Sequence, residues 1–527
     1  MPDWTYHPLR GVAAAVLGAR RSRRVALRVL ALVGSLPLGG WLIARAFGHR
    51  HPPEWLAGTV SGVAVSTRLG AVLPPEVAKD GVRALPLLGA GLIMVSPVRA
   101  ADIPAVRVAA ASCRVPMLVH AEGPDAGVVA AALAPCVDVV SRTIRPDVLR
   151  LSTPSVACAV RALDDRAAVV LATPGVLVQA GPGWFARVAE AATPTSAPST
   201  VRDVGRDPRR WPAWWWGVLV GIGMVLAGLG AAAITLGPVL LWYDHEWLGM
   251  GTNELHEVNP RLVHFLQHDR ITMAGTMVSI GVLYFGLAAN GIRRGWPWAR
   301  EAYLVSGWVG FPTLLYFLGF GFVEPLHTAV TVILFPMFLL ATRRQSHEPQ
   351  WTVMPEGPER LRRRALAGQL LLVLTGIGLF AGGAVVSVVG LTSIFVPSDL
   401  DFLRTGAAGL RAANPELLSF IAHDRAGFGG ALMAAAIAIT LLALWGWRRG
   451  ESWVWWSLAL AAIAGFGPAI VVHGSIRYTD LGHLAPVYAG VGLTVAALVL
   501  ARPYLCARPV IGPPPRRRAD LYCDGHG

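Results

Sequence analysis

Charge is what this 527-residue chain has least of: Asp, Glu, Lys and Arg make up 15% of its residues, against 54% hydrophobic. That balance excludes an ordinary soluble protein and indicates a membrane class. Cysteine is scarce as well. Cys113, Cys136, Cys158, Cys506 and Cys523 form no CxxC pair, which excludes a disulfide framework and reads as reduced, cytoplasmic thiols. Cys523 and His526 stand close together near the tail, but two ligands do not close a metal site. Lysine is almost missing, Lys79 being the single one, so the formal net charge of +14 rests on arginine. This bias fits a GC-rich bacterial genome. The arginines lie in short clusters beside apolar runs, such as Arg293-Arg294 and Arg362-Arg363-Arg364, and form no contiguous stripe, which excludes nucleic acid as a partner. A cleavable leader is also lacking. Val25 to Phe47 is interrupted by Arg28 and Arg45 and reads as paired amphipathic helices.

Long apolar runs, by contrast, crowd the chain beyond Trp211. Eight stretches reach the length needed to cross a hydrocarbon core of ~30 Å: 213–241, 271–292, 302–322, 325–342, 365–395, 426–446, 453–474 and 482–502. The loops holding Arg206/Arg209/Arg210, Arg293/Arg294/Arg300, Arg343/Arg344, Arg448/Arg449 and Arg516/Arg517/Arg518 fall on one side. The positive-inside rule makes that side cytoplasmic. Both termini are then cytoplasmic, segments 242–270 and 396–425 are extracytoplasmic, and the expected location is a bacterial inner membrane with the lipid bilayer as partner.

The membrane half repeats itself at an offset of 155 residues. Asn259-Pro260 returns as Asn414-Pro415, Phe265 as Phe420, His268-Asp269-Arg270 as His423-Asp424-Arg425, and Arg293-Arg294-Gly295 as Arg448-Arg449-Gly450. After one inserted residue near Gly467, Pro312 matches Pro468, Glu324 matches Asp480 and His327 matches His483. An even number of spans per repeat predicts parallel repeats about an axis near the membrane normal. Gly376, Gly378, Gly382 and Gly383 are expected to let helices approach closely. The fold class is thus a mainly α membrane bundle of about eight transmembrane helices in two parallel four-helix repeats, preceded by an α/β domain. The expected boundaries are an amphipathic segment at 1–50, the α/β domain at 51–192, a linker at 193–211, repeats at 212–344 and 365–505 joined by a cytoplasmic linker at 345–364, and a disordered tail at 506–527.

His268, Asp269 and Arg270 open the second span of one repeat; His423, Asp424 and Arg425 open that of the other. Glu324/His327 and Asp480/His483 open the fourth spans, and at i and i+3 each pair shares a helix face. Ionisable groups at membrane depth are costly and paired, which makes these ten residues the candidate ligand site. Three arrangements are open. Arg270 and Arg425 could pair with Asp269/Glu324 and Asp424/Asp480. His268, Glu324 and His327, or their second-repeat equivalents, could hold a divalent metal or haem. The cluster could also receive a quinone, a lipid headgroup or a proton. His264 and His473 lack repeat partners and read as local structure.

In the N-terminal half, short apolar runs at Val60–Val65, Gly89–Val95, Val115–Val119, Val137–Val140 and Ala167–Leu171 alternate with helical stretches, the pattern of a parallel α/β sheet. Arg23 to Leu30, Lys79 to Leu85, Leu88 to Ile93, Val115 to Val119, Val137 to Val140 and Val176-Leu177-Val178-Gln179-Ala180-Gly181-Pro182-Gly183-Trp184 resemble, in order, segments of the class 2, quinone-dependent dihydroorotate dehydrogenases. The resemblance covers about 170 residues. It implies a partial TIM barrel, FMN as cofactor, and Val176–Gln179 as a late strand. The stretch Val65 to Gly70 lacks the family's flavin-contacting lysine, and His120 and Ser141 stand where the family has asparagines. The domain is therefore expected to be a non-catalytic remnant, and the protein to act in ligand binding, sensing or transport. The alternatives are a quinone-linked flavin oxidoreductase, in which Arg68, His120 and Ser141 replace the missing ligands, and a metal- or haem-dependent membrane oxidoreductase.

Overall fold

The computed structural model describes residues 6–47, 52–143, 147–165, 168–193, 198–313, 315–316, 319, 324–343, 349 and 359–508. Helices α1 (Tyr6–Leu17), α2 (Ala19–Ser35) and α3 (Gly39–Phe47) lead into a two-stranded hairpin, β1 (Gly58–Val60) and β2 (Val63–Val65). Ser61 and Gly62 turn it, both at positive φ, as a tight hairpin requires. The run expected as one strand, Val60–Val65, is therefore folded back on itself.

A six-stranded parallel sheet follows, built from β3 (Leu69–Leu73), α4 (Pro75–Ala84), β4 (Leu92–Val98), α5 (Ile103–Ala110), β5 (Met117–Ala121), α6 (Ala126–Leu133), β6 (Val139–Ser141), β7 (Val148–Leu151), α7 (Val156–Asp164) and β8 (Val169–Ala172). The strand order β6-β5-β4-β3-β8-β7 joins the first strand to the last, as a barrel does. Among the described residues β6 and β7 do not pair, so the sheet is a half-barrel with one open seam. Its curl is shown by Arg150 on β7, which reaches the β4 side chains Met94 and Ser96. Val72, Leu92, Met94, Leu118, Val148 and Leu171 pack inside, with Val60 and Val65 of the hairpin closing one end. The outer face, with Ala71, Ile93, Val119 and Val170, packs on the helices. Strands buried on both faces read as continuous apolar runs, and β3 is buried at every position.

Two expectations change here. Val176–Gln179 lies in helix α8 (Pro174–Ala180), not in a strand; Pro174 at the first helical position is pre-set for that conformation. Cys113, Cys136 and Cys506 are free thiols, but Cys158 on α7 is disulfide-bonded. Helix α9 (Trp184–Ala192) completes the domain.

The membrane half comprises α10 (Ala213–Leu236), α11 (Trp242–Leu248), α12 (Thr252–Val258), α13 (Leu262–Gly286), α14 (Pro297–Thr313), α15 (Pro325–Ala341), α16 (Glu359–Leu391), α17 (Pro397–Leu403), α18 (Ala407–Ala413), α19 (Leu417–Trp445), α20 (Ser452–Ser475) and α21 (Leu481–Leu505). Among the described residues six helices are long and apolar enough to cross a membrane: α10, α13 with its extension to Ile292, α16, α19, α20 and α21. This is a multi-pass membrane protein. In lipid each span must satisfy its own backbone, which is why these runs are helical. Of the other two expected spans, α15 is apolar but shorter, and the run at 302–322 lies partly outside the described residues.

Helix α10 packs on α13 and α16 on α19. A Cβ at Gly281 would lie 2.7 Å from Gly221 O, and one at Gly383 would lie 2.7 Å from Gly429 O. These contacts need glycine. Gly376 also meets a neighbour, Thr440, whereas Gly378 and Gly382 face open space. Across the middle, α13 packs on α20 and α19 on α14.

A buried ion pair clamps the half-barrel to the membrane half. Arg448, in the turn before α20, donates from Nε and Nη2 to the two carboxylate oxygens of Glu190 on α9, at 2.7 and 2.6 Å. Its guanidinium lies against the Trp296 and Trp298 rings. Deleting one member of such a pair strands the other and costs roughly 3–5 kcal/mol. Glu190→Ala and Arg448→Ala are each expected to lower the thermal unfolding midpoint of the detergent-solubilised protein, while Arg210→Ala, on the surface, leaves it in place. An unchanged midpoint in Glu190→Ala would refute the clamp.

Candidate functional site

Segments 242–258 and 397–413 each fold as two short helices over one end of the bundle, α11–α12 and α17–α18. Asp244 and Asp399 accept from the backbone N–H of Leu241 and Val396 at the helix starts, satisfying donors that a helix leaves free. Asn259 Nδ2 donates to Leu403 O, and Asn414 Nδ2 to Leu248 O, both at 2.8 Å. The short helices of one half are thereby tied to the chain of the other.

Beneath them the charged residues pair crosswise. Arg270 Nε donates to Asp424 Oδ2 at 2.7 Å, its Nη1 to Val239 O at 2.7 Å, and Asp244 lies 3.6 Å away. Arg425 Nε donates to Asp269 Oδ2 at 3.0 Å, and its Nη1 to Ile394 O and Asp399. Each guanidinium also lies over a phenylalanine of the other half: Arg270 over Phe420, and Arg425 over Phe265. The expected pairing of Arg270 with Asp269/Glu324 and of Arg425 with Asp424/Asp480 is corrected: the triplet acids are exchanged, and the same-half acids are Asp244 and Asp399. Adjacent helix residues point in different directions, so Arg270 turns away from Asp269 and reaches α19.

The histidines follow the same crossing. His268 Nε2 lies 2.9 Å from His473 Nε2, and an imidazole nitrogen of His483 lies within 4.8 Å of both. His268 Nδ1 is 2.9 Å from Asp269 Oδ1, and His473 Nδ1 is 2.6 Å from Ala469 O. Tyr478 packs on the His483 ring and donates its hydroxyl to Asp399 at 2.9 Å. Burial beside that carboxylate pushes the Tyr478 phenol up from its ordinary range.

In the second cluster, His423 Nε2 lies 3.3 Å from His327 Nδ1 and His423 Nδ1 3.2 Å from Asp424. Glu324 accepts from Tyr243 Oη at 2.6 Å and caps α15 through the His327 N–H. Burial raises the Asp244 carboxyl despite the nearby Arg270.

The proposed ligand set His268, Glu324 and His327 is thus split. His268 and Asp269 join Arg425, His473 and His483; Arg270, Glu324 and His327 join His423 and Asp424. The cause is packing, since α13 lies on α20 while α15 meets α19 through His327 and His423. Asp480 stays at the surface and caps α21 through the His483 N–H. Sequence reasoning missed Asp244, Asp399, Tyr243, Tyr478 and His473. Asp244 and Asp399 stand 155 residues apart and were findable by that spacing.

In the half-barrel, Ser96, His120 and Arg150 meet near the strand C-termini. His120 Nδ1 is 3.1 Å and Arg150 Nη2 3.0 Å from Ser96 Oγ. Ser141 pairs in register with His120. Arg68 is elsewhere: before β3, bonding the carbonyls of Leu163, Asp165 and Ala168. Its guanidinium holds that loop together.

Comparison with protein-family models, curated proteins and solved structures finds no match to this chain.

The crossed pairs predict coupling. In a double-mutant cycle, Arg270→Ala and Asp424→Ala are expected to show an interaction of roughly 1–3 kcal/mol in unfolding free energy; additive losses would contradict the pairing. A pH dependence follows from His120, which burial, and then Arg150, hold below its ordinary value of 6.5. The unfolded chain then binds the extra proton first. This contribution to stability is complete above the ordinary value and is lost as pH falls through 6.5 toward the folded value. Unfolding of the wild type between neutral and mildly acidic pH is expected to show this loss, and His120→Asn to flatten it.

Proposed function

We propose that the chain is a metal-binding membrane protein of a ligand-binding, sensing or transport class, with His268, His473 and His483 as ligands to one divalent first-row ion, zinc above all. The carrying observation is the facing of two Nε2 atoms at 2.9 Å while their Nδ1 atoms lie against Asp269 and a carbonyl. His473 gives its Nδ1–H to the Ala469 carbonyl and so presents a lone pair at Nε2, while the His268 Nδ1 lies 2.9 Å from the Asp269 carboxylate. A lone pair facing a second Nε2 at that distance calls for a cation or a proton between them. Ligand bonds of about 2.0–2.1 Å place two nitrogens about 3.3 Å apart around a tetrahedral ion and about 4 Å apart across one. The observed spacing is nearer the first, which favours an ion over haem. Three protein ligands leave a fourth position for water or a guest.

In this reading the membrane half is two parallel repeats of four spans, α14 and α15 supplying the two beyond the six. The reading is supported by the 155-residue spacing of the crossed contacts: Arg270–Asp424 against Arg425–Asp269, and Asn259–Leu403 against Asn414–Leu248. The arginine pairs Arg293-Arg294 and Arg448-Arg449 lie at the opposite end of the spans from the histidines, as cytoplasmic termini in a bacterial inner membrane require. The half-barrel, with six strands and an open seam, is read as a non-catalytic remnant of the dihydroorotate dehydrogenase type. The flavoenzyme alternative draws on the Ser96–His120–Arg150 cluster alone.

Elemental analysis of protein purified into nanodiscs is expected to give about one zinc or cobalt per chain, with the visible bands of four-coordinate cobalt after exchange. His473→Ala is expected to lose the ion and His264→Ala to keep it. Full metal content in His473→Ala, or a Soret band in the wild type, overturns the assignment.

A further inference from the structure

Each histidine of the triad has a neighbour one helical turn deeper that lines a single cavity. These are Thr272, four residues after His268 on α13; Ala469, four before His473 on α20; and Val487, four after His483 on α21. Four residues make one turn, so the cavity begins directly beneath the three rings. It has a volume of about 110 Å³ and runs on to Ser279 on α13 and Leu458 on α20. At 1.5 Å per residue those positions lie about 10 Å and 16 Å further along their helices. Spread over that length, the volume is a slot. Hydrocarbon from Phe428 and Phe466 faces it, and the Thr272 and Thr276 hydroxyls donate to the carbonyls of His268 and Thr272. Those two hydroxyls are taken, and the lining also carries the unpartnered hydroxyl of Thr494 on α21, among mainly apolar neighbours.

We propose that this slot receives the alkyl tail of a single-chain lipid whose oxygen-bearing headgroup takes the open position at the histidine triad. The head rests on the metal reading above; the tail rests on the cavity. An unbranched chain matches a cavity of this length and volume. Each methylene moved out of water strengthens binding by about fourfold, so chain length governs affinity. The guest is held as an amphiphile, polar end at the membrane boundary and apolar end within the bundle.

Cobalt-loaded protein in nanodiscs tests this with dodecanoate and butyrate as probes. Dodecanoate is expected to shift the cobalt bands to saturation, with butyrate weaker by about tenfold or more. Gly465 lines the slot on α20, and a Cβ there would find Ser279 at 3.8 Å as its nearest neighbour, an ordinary contact. Gly465→Leu is therefore expected to fill the slot, keep the metal, and weaken dodecanoate by about tenfold or more. Equal affinity for the two acids, an unaffected Gly465→Leu, or binding of a decyl benzoquinone in preference to dodecanoate overturns the proposal. Radiolabelled dodecanoate separates its two supports. Label held by a metal-free wild type and lost in Gly465→Leu would sink the metal reading and keep the tail site; no label in the metal-loaded wild type would sink the tail site alone.

Discussion

Two guanidinium groups sit inside an apolar bundle, and each is shared between carboxylates of both halves of the chain. Arg270 lies between Asp424 and its own half's Asp244, and Arg425 between Asp269 and its own half's Asp399. A charge at membrane depth is tolerated when paired and is strongly destabilising when left alone, so the crossed members Asp424 and Asp269 tie the two halves together. That requirement sets the rest of the polar end. Helix α13 must lie beside α19, and with it come the contacts of α13 on α20 and α19 on α14. The histidines next to the paired acids are carried into facing positions by the same arrangement. Asp244 and Asp399 close the charge balance from above, through short helices whose own first turns they cap.

This explains which parts of the site were readable from the sequence. Charged triplets inside apolar runs stand out because lipid makes them rare, and Glu324/His327 and Asp480/His483 stand out at the starts of spans for the same reason. Their partners did not stand out. Two similar stretches in one chain can be satisfied equally by contacts within each stretch or between them, and only the packing of the helices decides. His473 shows the limit most clearly. The offset that matches His483 to His327 puts Phe317 at its counterpart position, so a search by duplication discards the residue that lies nearest to His268. The triad belongs to one side of the molecule alone.

In the N-terminal half the period of apolar runs located β4, β5, β6 and β8 closely, because a parallel strand covered on both faces has little choice of composition. It missed β3 and β7, which lie beside Arg68 and carry Arg150. A charged residue breaks the run although its side chain is accommodated by carbonyls in one case and by Ser96 in the other. Val176–Gln179 failed in the opposite way, since four apolar residues suit a strand or a buried helix turn equally, and Pro174 decides the matter locally.

The crossing also imposes an order on synthesis. Asp244 is made before Arg270 and lies 3.6 Å from it in the finished protein, so the nearer-sequence carboxylate is available to that arginine first. Its closer partner, Asp424, emerges only after the intervening chain has been made, roughly 8–30 s later at 5–20 residues per second. Glu190 waits longer still, for Arg448. The first half of the chain is thus made before the carboxylate that Arg270 lies closest to exists.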